Sequence, residues 1–261
     1  MKIQAYLPVY NESDVLPHVL AHLRSQGIYH IHLIDGWSMD RAIETFCGYE
    51  NQGVTFERFP ASSSPIQDCH AILKRIEDLA AASDADWIMY TDADEWRRSP
   101  RASETLADGI ARVDAEGWNV IDYRVFAFFC TDQPWEARSG KPELALRHYN
   151  ETDPICLIPN QKTWKNLGRV DLQSSGGHCT RAPWARICPE RWSMKHYPFR
   201  TPEQARAKLL TRLARRCKPE HAAGWGVHYD PLLTAVQAGL EMRWRADSLE
   251  FWNADPTSAL P

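Results

Sequence analysis

The sequence predicts an α/β fold in which a Rossmann-like βαβ half is followed by a half of mixed sheet, and three observations support this. Short β-type runs alternate with helical patterns over about the first hundred residues, which is typical of parallel βαβ units. After Gly117 a long β-type run leads into polar stretches that contain Pro and Trp. The chain has 261 residues, 44% of them hydrophobic, which suits one large core. We therefore expect a single domain over 1–261, with halves 1–117 and 118–261.

Periodicity places the elements of the first half. Strands are expected at 3–10, 28–34, 54–59 and 86–91, and a helix at 103–116. Ser13 or Asp14 is expected to cap the first helix, with Pro17 in its first turn and its end near Gly27. Ser64-Pro65-Ile66-Gln67 has the form of a capping box and predicts the start of the third helix.

The second half has fewer regular signals. Residues 118–129 form the long β-type run, and Thr201-Pro202-Glu203-Gln204 is a second capping box that opens a helix. Asp230-Pro231 is expected to cap the last helix, whose apolar side would carry Leu233, Val236, Leu240 and Trp244.

Charge and cysteine content exclude several classes of protein. The formal net charge is −4, so a polybasic nucleic-acid-binding coat is excluded and no nucleic-acid partner is expected. The N-terminus lacks the features of a signal peptide and no apolar run is long enough to span a membrane, which predicts a cytoplasmic protein. Seven scattered cysteines without a Cys-x-x-Cys pair predict reduced thiols and neither a zinc site nor a disulfide framework.

Asp92-Ala93-Asp94 follows the predicted strand at 86–91. Alternate residues of an extended chain project to one face, so the two carboxylates can aim at one point with Ala93 turned away. Oxygen ligands at the carboxyl edge of a parallel sheet suit Mg²⁺ or Mn²⁺. A turn with capping duties is the alternative for Asp-x-Asp, and its position after a buried strand favours the metal.

Asp35 ends the second predicted strand at the same edge, where it is favoured to accept hydrogen bonds from a nucleobase or ribose. Asp40 is favoured as a helix cap. Asn11 and Glu12 end the first strand in the same plane, and ligand contact and a loop-to-helix junction remain equally open for them.

The segments 8–12, 35–40 and 91–95 resemble, in order and spacing, three successive motifs of glycosyltransferase family 2 and its relatives with the GT-A fold. The resemblance implies that Asp35 contacts the base of a nucleotide-sugar, with a UDP-sugar favoured. It also implies that Asp92 and Asp94 bind Mn²⁺ or Mg²⁺ bridging the diphosphate. One departure is that Gly36 replaces the usual second acidic residue.

The segment from Lys195 to Ala205 resembles a motif of a bacterial subset of the same family. The resemblance implies a histidine metal ligand, His196 by preference and His178 as the alternative. It also implies donor-binding roles for Asn11, Glu12, Ala93, Arg200 and Lys208, the last two as cations for the diphosphate. For Lys162 and Lys165 a solvated polar strand is at least as well supported.

The implied reaction is inverting transfer of a sugar from a nucleotide-sugar to a saccharide or lipid-linked acceptor, as in the synthesis of cell-surface polysaccharide. Candidates by region for the base that takes the acceptor proton are Asp132, Glu136 and Asp171. Trp135, Trp164 and Trp184 are possible stacking platforms, with burial as the default.

Alternatives remain. The basic helix at 202–218 is favoured as a solvated face, and peripheral contact with the inner face of a membrane is the alternative. A sugar nucleotidyltransferase would need a Gly-rich phosphate loop, which 8–14 lacks. A Trp-rich carbohydrate-binding protein without catalysis would bind sugar independently of metal.

Overall fold

A computed structural model describes residues 1–49, 52–131, 142–151 and 154–251. The elements up to residue 117 are, in order, β1 (Ile3–Val9), α1 (Leu16–Ser25), β2 (His30–Asp35), α2 (Ala42–Cys47), β3 (Val54–Arg58), α3 (Cys69–Ala82), β4 (Trp87–Tyr90), β5 (Glu95–Arg98) and α4 (Leu106–Ala115). The predicted alternation of strands and helices is confirmed over this half.

The second half is more irregular. Its elements are β6 (Val120–Ile121), β7 (Tyr123–Phe129), α5 (Pro142–Ala145), β8 (His148–Asn150), α6 (Pro154–Leu157), β9 (Thr163–Lys165), β10 (Trp192–Phe199), α7 (Pro202–Ala214), α8 (Lys218–Ala222), α9 (Asp230–Gln237) and β11 (Glu250–Phe251). The expected long β-type run is divided at Asp122 into β6 and β7, which enter different sheets.

The first sheet has the order β3-β2-β1-β4-β9-β6 within the described residues. Strands β1 to β4 are parallel, and β9 and β6 add antiparallel pairs at one side. The carboxyl ends of β1, β2 and β4 therefore meet at one edge, as the βαβ pattern predicts.

The second sheet has the order β11-β8-β7-β10-β5 in the same ranges and mixes parallel with antiparallel pairs. The predicted α/β fold with a mixed second half is confirmed. Each sheet contains strands from both halves of the chain. Strand β5, from before residue 117, belongs to the second sheet, while β6 and β9, from after it, belong to the first. One core cluster likewise contains Leu7 and Leu106 together with Phe128 and Leu209.

Two predicted helix starts are wrong. Neither Ser13 nor Asp14 caps α1, because Val15 is the N-cap residue while Asp14 binds Arg200. The third helix begins at Cys69 rather than at the predicted capping box, because the Asp68 side chain accepts the Ala71 N–H at 2.8 Å. The N–H of Gln67 instead donates to the Arg215 carbonyl.

The C-terminal helices are partly as predicted. Thr201 caps α7 by accepting the Gln204 N–H, as its capping box indicates. Helix α9 begins at Asp230, but the Asp230 carboxylate binds Arg216 and His221 instead of capping. Leu240 and Trp244 lie beyond the end of α9, so its predicted apolar side is shorter. No helix among the described residues is long and apolar enough to cross a membrane.

Buried His22 gives the fold a dependence on pH. Burial lowers the pKa of His22 to about 3, and nearby Arg98 adds to the effect, while its Nε2 lies 2.9 Å from the Arg97 carbonyl oxygen. The unfolded chain, with a histidine pKa of about 6.5, binds this proton first. We therefore expect the contribution of neutral His22 to stability to be complete above pH 6.5 and to be lost as the pH falls toward 3.

Urea unfolding at several pH values between 7.5 and 4 tests this expectation. A group whose pKa differs between the folded and unfolded chain changes the slope of the unfolding free energy against pH by up to about 1.4 kcal/mol per pH unit. We therefore expect His22→Gln to reduce this slope by about the same amount. Equal slopes for the two proteins would contradict the prediction.

Candidate active site

The loops that follow β1, β2 and β4 form the edge of the first sheet where the site residues collect. Two residues in these loops, Asn11 and Trp37, have left-handed backbone with φ of 54° and 67°. This conformation is uncommon for residues other than glycine and concentrates at functional sites. Hydrogen bonds hold both loops: Ser38 Oγ accepts the Asn11 N–H, and Trp37 Nε1 donates to the Pro60 carbonyl at 2.8 Å.

Asp35 lies at this edge, as predicted, and is buried. Its carboxylate accepts the Ser38 N–H at 3.0 and 3.2 Å, and Arg58 Nε lies 3.5 Å away. The Arg58 guanidinium also lies 4.6 Å from the centre of the Trp37 ring. Asp40 accepts the N–H groups of Ser13 and of Ala42, the first residue of α2, so it joins the loops that follow β1 and β2.

Arg215 was not predicted at this edge. Its guanidinium lies 3.8 Å from the centre of the Tyr10 ring, and its Nη2 donates to the Gly36 carbonyl at 3.2 Å. The end of α7 therefore contacts the loops that follow β1 and β2, which residue spacing alone does not reveal.

Asp92, whose side chain is 37% exposed, joins a chain of charges whose other members, Lys162, Glu95 and Arg97, are buried. Its Oδ2 accepts from Lys162 Nζ at 2.8 Å, and its Oδ1 accepts from the Tyr90 hydroxyl at 3.2 Å. Lys162 also donates to Glu95 at 2.7 Å, and Glu95 in turn accepts from Arg97. The Lys162 side chain is only 3% exposed, so the solvated reading is wrong for it. Lys165 pairs with Asp114, and the two side chains are 35% and 30% exposed.

Asp94 has a different lysine partner. Its Oδ2 accepts from Lys208 Nζ at 2.7 Å, and Lys208 also donates to Glu12 at 2.9 Å. Glu12 and Lys208 therefore lie beside Asp94, and their donor-binding roles stay predictions. Ala93 between the two aspartates packs in the core, which leaves only its backbone for a ligand.

The lysines determine the charge state of both aspartates. Burial raises the pKa of Asp94, but Lys208 and His196 outweigh it and hold the pKa well below its usual range. For Asp92, burial is likewise opposed by Lys162, and the net pKa is lowered. The partners Asp92 and Glu95 raise the pKa of Lys162 despite its burial. Both pairs are therefore ionised at neutral pH.

Arg200 lies deeper than predicted. Its guanidinium is 1% exposed and donates to Glu12, to Asp14 at 2.7 and 2.8 Å, and to the Tyr197 carbonyl. The prediction that Arg200 contacts the diphosphate directly is not supported by this placement, because its N–H groups bind protein oxygens. Arg200 instead positions Glu12 and the loop before α1.

The two candidate histidines differ in position. His196 on β10 has its Nε2 3.6 Å from Asp94 Oδ1, too far for a hydrogen bond, and its role as a metal ligand stays a prediction. His178 lies in the loop after Gly177, where burial and Lys162 lower its pKa to about 4. Its backbone carbonyl accepts the Gln161 N–H at 2.7 Å and its N–H donates to the Ser175 carbonyl, while its Nδ1 has no hydrogen-bond partner within the described part of the chain.

The side chains of the site could bind a divalent cation only if a ligand supplied further oxygen atoms. Within the described ranges no group of three or more His, Cys, Asp or Glu side chains could hold a metal ion by itself. Asp94 Oδ1 and His196 Nε2 nevertheless face each other, and Mg²⁺-type ions are commonly bound by one or two carboxylates and substrate phosphates. A cation here would therefore need diphosphate oxygens to complete its coordination.

The predicted bases and stacking residues are distributed as follows. Asp132, Trp135 and Glu136 lie outside the described residues. Asp171 accepts the Ser174 N–H at 2.9 Å, and hydrogen bonds from the side chain and the backbone of Ser174 lower its pKa, so it serves a turn. Trp164 is completely buried, and Trp184 packs against the same core cluster.

The basic helix turns several cations toward the protein. Arg206 donates to the Val236 carbonyl, Arg212 lies 4.1 Å from the centre of the Tyr229 ring, and Arg216 binds Asp230. Arg206 and Lys218 are nevertheless exposed, so part of the segment 202–218 is solvated, as predicted. Contact with a membrane stays a prediction.

Three solved structures were compared with this fold. The UDP complex of S. aureus TarS 1–349 is 13% identical and covers 93% of this chain and 76% of its own, with a TM-score of 0.45. The mannosyltransferase PcManGT from Pyrobaculum calidifontis with GDP-Man and Mn²⁺ is 14% identical. The match covers 90% of this chain and 68% of that chain, with a TM-score of 0.45. Glucosyl-3-phosphoglycerate synthase from Mycobacterium tuberculosis with Mn²⁺ and UDP is 14% identical. The match covers 63% of this chain and 57% of that chain, with a TM-score of 0.34.

No family model matches the chain, and no curated protein matches it significantly in sequence. Because the structural likenesses are distant, we take the function from the side chains of the site.

Proposed function

We propose that this chain is a metal-dependent glycosyltransferase of the GT-A type that transfers a sugar from a nucleotide-sugar to a saccharide or lipid-linked acceptor with inversion. The observation that carries the proposal is the grouping of Asp92 and Asp94 with Lys162 and Lys208 at the carboxyl edge of parallel strands. Clefts at this edge are the usual ligand sites of open α/β sheets. A cytoplasmic role in cell-surface polysaccharide synthesis belongs to the same proposal.

Each group has a part in the proposed site. Asp35 and Asn11 would contact the base and ribose of the donor, with UDP favoured. Asp94 and His196, with Asp92 next to Asp94, would hold Mn²⁺ or Mg²⁺ only together with diphosphate oxygens, and the ion would supply Lewis-acid stabilisation of the leaving diphosphate. Lys208 shares its ammonium between Glu12 and Asp94, and it is the cation placed to reach a diphosphate, since its side chain is 22% exposed. Asp132 or Glu136 would take the acceptor proton.

The decisive experiment is calorimetric titration of the protein with UDP, GDP and CDP, each with and without Mn²⁺. We expect one diphosphate to bind in a metal-dependent way, because its oxygens complete the cation site. The double variant Asp92→Asn with Asp94→Asn keeps side-chain shape and should lose this binding. Asp78→Asn, at an exposed ion pair with Lys74, is the matched control.

Failure of all three nucleotides to bind a folded protein would overturn the proposal. Metal-independent binding of sugar without nucleotide binding would favour a carbohydrate-binding protein without catalysis.

A further inference from the structure

We propose that Lys208 neutralises the cation position in the free protein and leaves Asp94 only when a diphosphate receives its ammonium group. The nucleoside diphosphate therefore binds before the metal ion or together with it, and the free protein binds Mn²⁺ weakly. This inference rests on the proposed transferase function and adds the order in which its site is filled.

The carboxylates around the cation position already have lysine partners. Lys208 Nζ lies 2.7 Å from Asp94 Oδ2 and 2.9 Å from Glu12 Oε1. Lys162 Nζ lies 2.8 Å from Asp92 Oδ2. A divalent ion on Asp94 beside Lys208 would place like charges on one carboxylate that is only 6% exposed, where water screens their repulsion poorly. Lys208 must therefore leave Asp94 before an ion can bind it.

The two lysines differ in their freedom to move. Lys162 is 3% exposed, and its ammonium group lies 4.6 Å from the centre of the Tyr90 ring, so protein surrounds it. Lys208 is 22% exposed and lies on α7, where its flexible four-carbon side chain can swing toward solvent while the helix stays in place. Lys208 is therefore the removable cation, and Lys162 is a fixed counter-charge.

The departure of Lys208 leaves neither of its partners without a cation. Glu12 keeps Arg200, whose guanidinium is 1% exposed. Asp94 exchanges its lysine for the incoming ion, with His196 Nε2 3.6 Å from its other oxygen. Because an unpaired buried charge is strongly destabilising, this exchange is favourable only when the ion and the diphosphate are both present.

Lys208 has a hydrogen-bond donor with which to receive the diphosphate. An ammonium group carries three N–H donors, and the described contacts of Lys208 use two of them, for Glu12 and Asp94. A diphosphate oxygen can accept the third N–H first and then compete with Asp94 for its N–H. The diphosphate also supplies the oxygen ligands that a divalent ion needs besides Asp94. The same ligand thus draws the ammonium group away and completes the cation site.

Binding of Mn²⁺ alone to the full chain tests the inference, with free Mn²⁺ followed by electron paramagnetic resonance. In the unmodified chain we expect weak binding that tightens when the preferred nucleoside diphosphate is added. Lys208→Met removes the charge and should tighten Mn²⁺ binding in the absence of nucleotide on the order of tenfold or more. Lys208→Arg keeps the charge and should bind Mn²⁺ as weakly as the unmodified chain.

Two further variants locate the effect. Lys74→Met removes a lysine from an exposed pair with Asp78 and should leave Mn²⁺ binding unchanged. Lys208→Met combined with Asp94→Asn should lose the gain in affinity, because the ion that Lys208→Met admits binds Asp94. If methionine at position 208 prevents folding, Lys208→Gln makes the same test, since it is neutral and keeps hydrogen bonding.

The outcomes separate this inference from the proposed function. Tighter Mn²⁺ binding by folded Lys208→Met, together with weaker binding of the nucleoside diphosphate, supports the inference. It is overturned alone by unchanged or weaker Mn²⁺ binding in Lys208→Met, by an equal gain in Lys74→Met, or by a gain that persists with Asp94→Asn. Nucleotide binding by the unmodified chain is measured separately, and its absence would overturn the proposed function whatever the lysine variants show.

Discussion

Replacing Asp94 with asparagine is expected to reduce turnover on the order of 10³-fold, the scale for loss of an electrostatic group in a buried site. Asp94 is only 6% exposed and binds Lys208 with one oxygen while its other oxygen faces His196. Asparagine keeps the shape of the side chain and removes the charge. The measurement is release of nucleoside diphosphate from the donor whose nucleotide binds in the titration.

The control for this prediction is Asp78→Asn, which removes a carboxylate that is 40% exposed. Its turnover should equal that of the unmodified chain. If Asp94→Asn folds normally and keeps more than a tenth of the turnover, Asp94 has no direct part in the reaction.

Replacing Arg200 with methionine is expected to destabilise the fold by about 3–5 kcal/mol, because breaking a buried ion pair leaves uncompensated charge. Arg200 is 1% exposed and pairs with Glu12 and Asp14. Only Glu12 has a second cation, Lys208, in the described contacts. Urea unfolding followed by tryptophan fluorescence measures the loss.

Arg243→Met is the matched comparison, since Arg243 pairs with Glu241 at the surface. Exposed pairs contribute about 0–1 kcal/mol, so its unfolding free energy should change little. Arg200→Lys keeps the charge without the forked geometry and should fall between the two. Equal losses for Arg200→Met and Arg243→Met would contradict the positioning role of Arg200.

Local rules in the sequence were sufficient for the strands of the βαβ half and for α4, but not for the starts of α1 and α3. Apolar periodicity located β1 to β4 and α4 to within a few residues, because these elements bury one face or both in a regular pattern. The capping box at Thr201 was correct because its bonds are local. The one at Ser64 was wrong because Asp68, four residues later, caps α3 and Gln67 pairs with distant Arg215.

The sequence by itself determined which residues reach the site edge from the strands: Asp35, Asp92 and Asp94 follow strands whose order and direction the βαβ pattern implies. Only the tertiary structure decided their partners. Lys162 is distant in sequence from Asp92 and Glu95, and Lys208 from Glu12 and Asp94, so no local spacing encodes these pairs. A lysine on a polar stretch is exposed or buried according to what packs over it, and that depends on contacts between elements far apart in the chain.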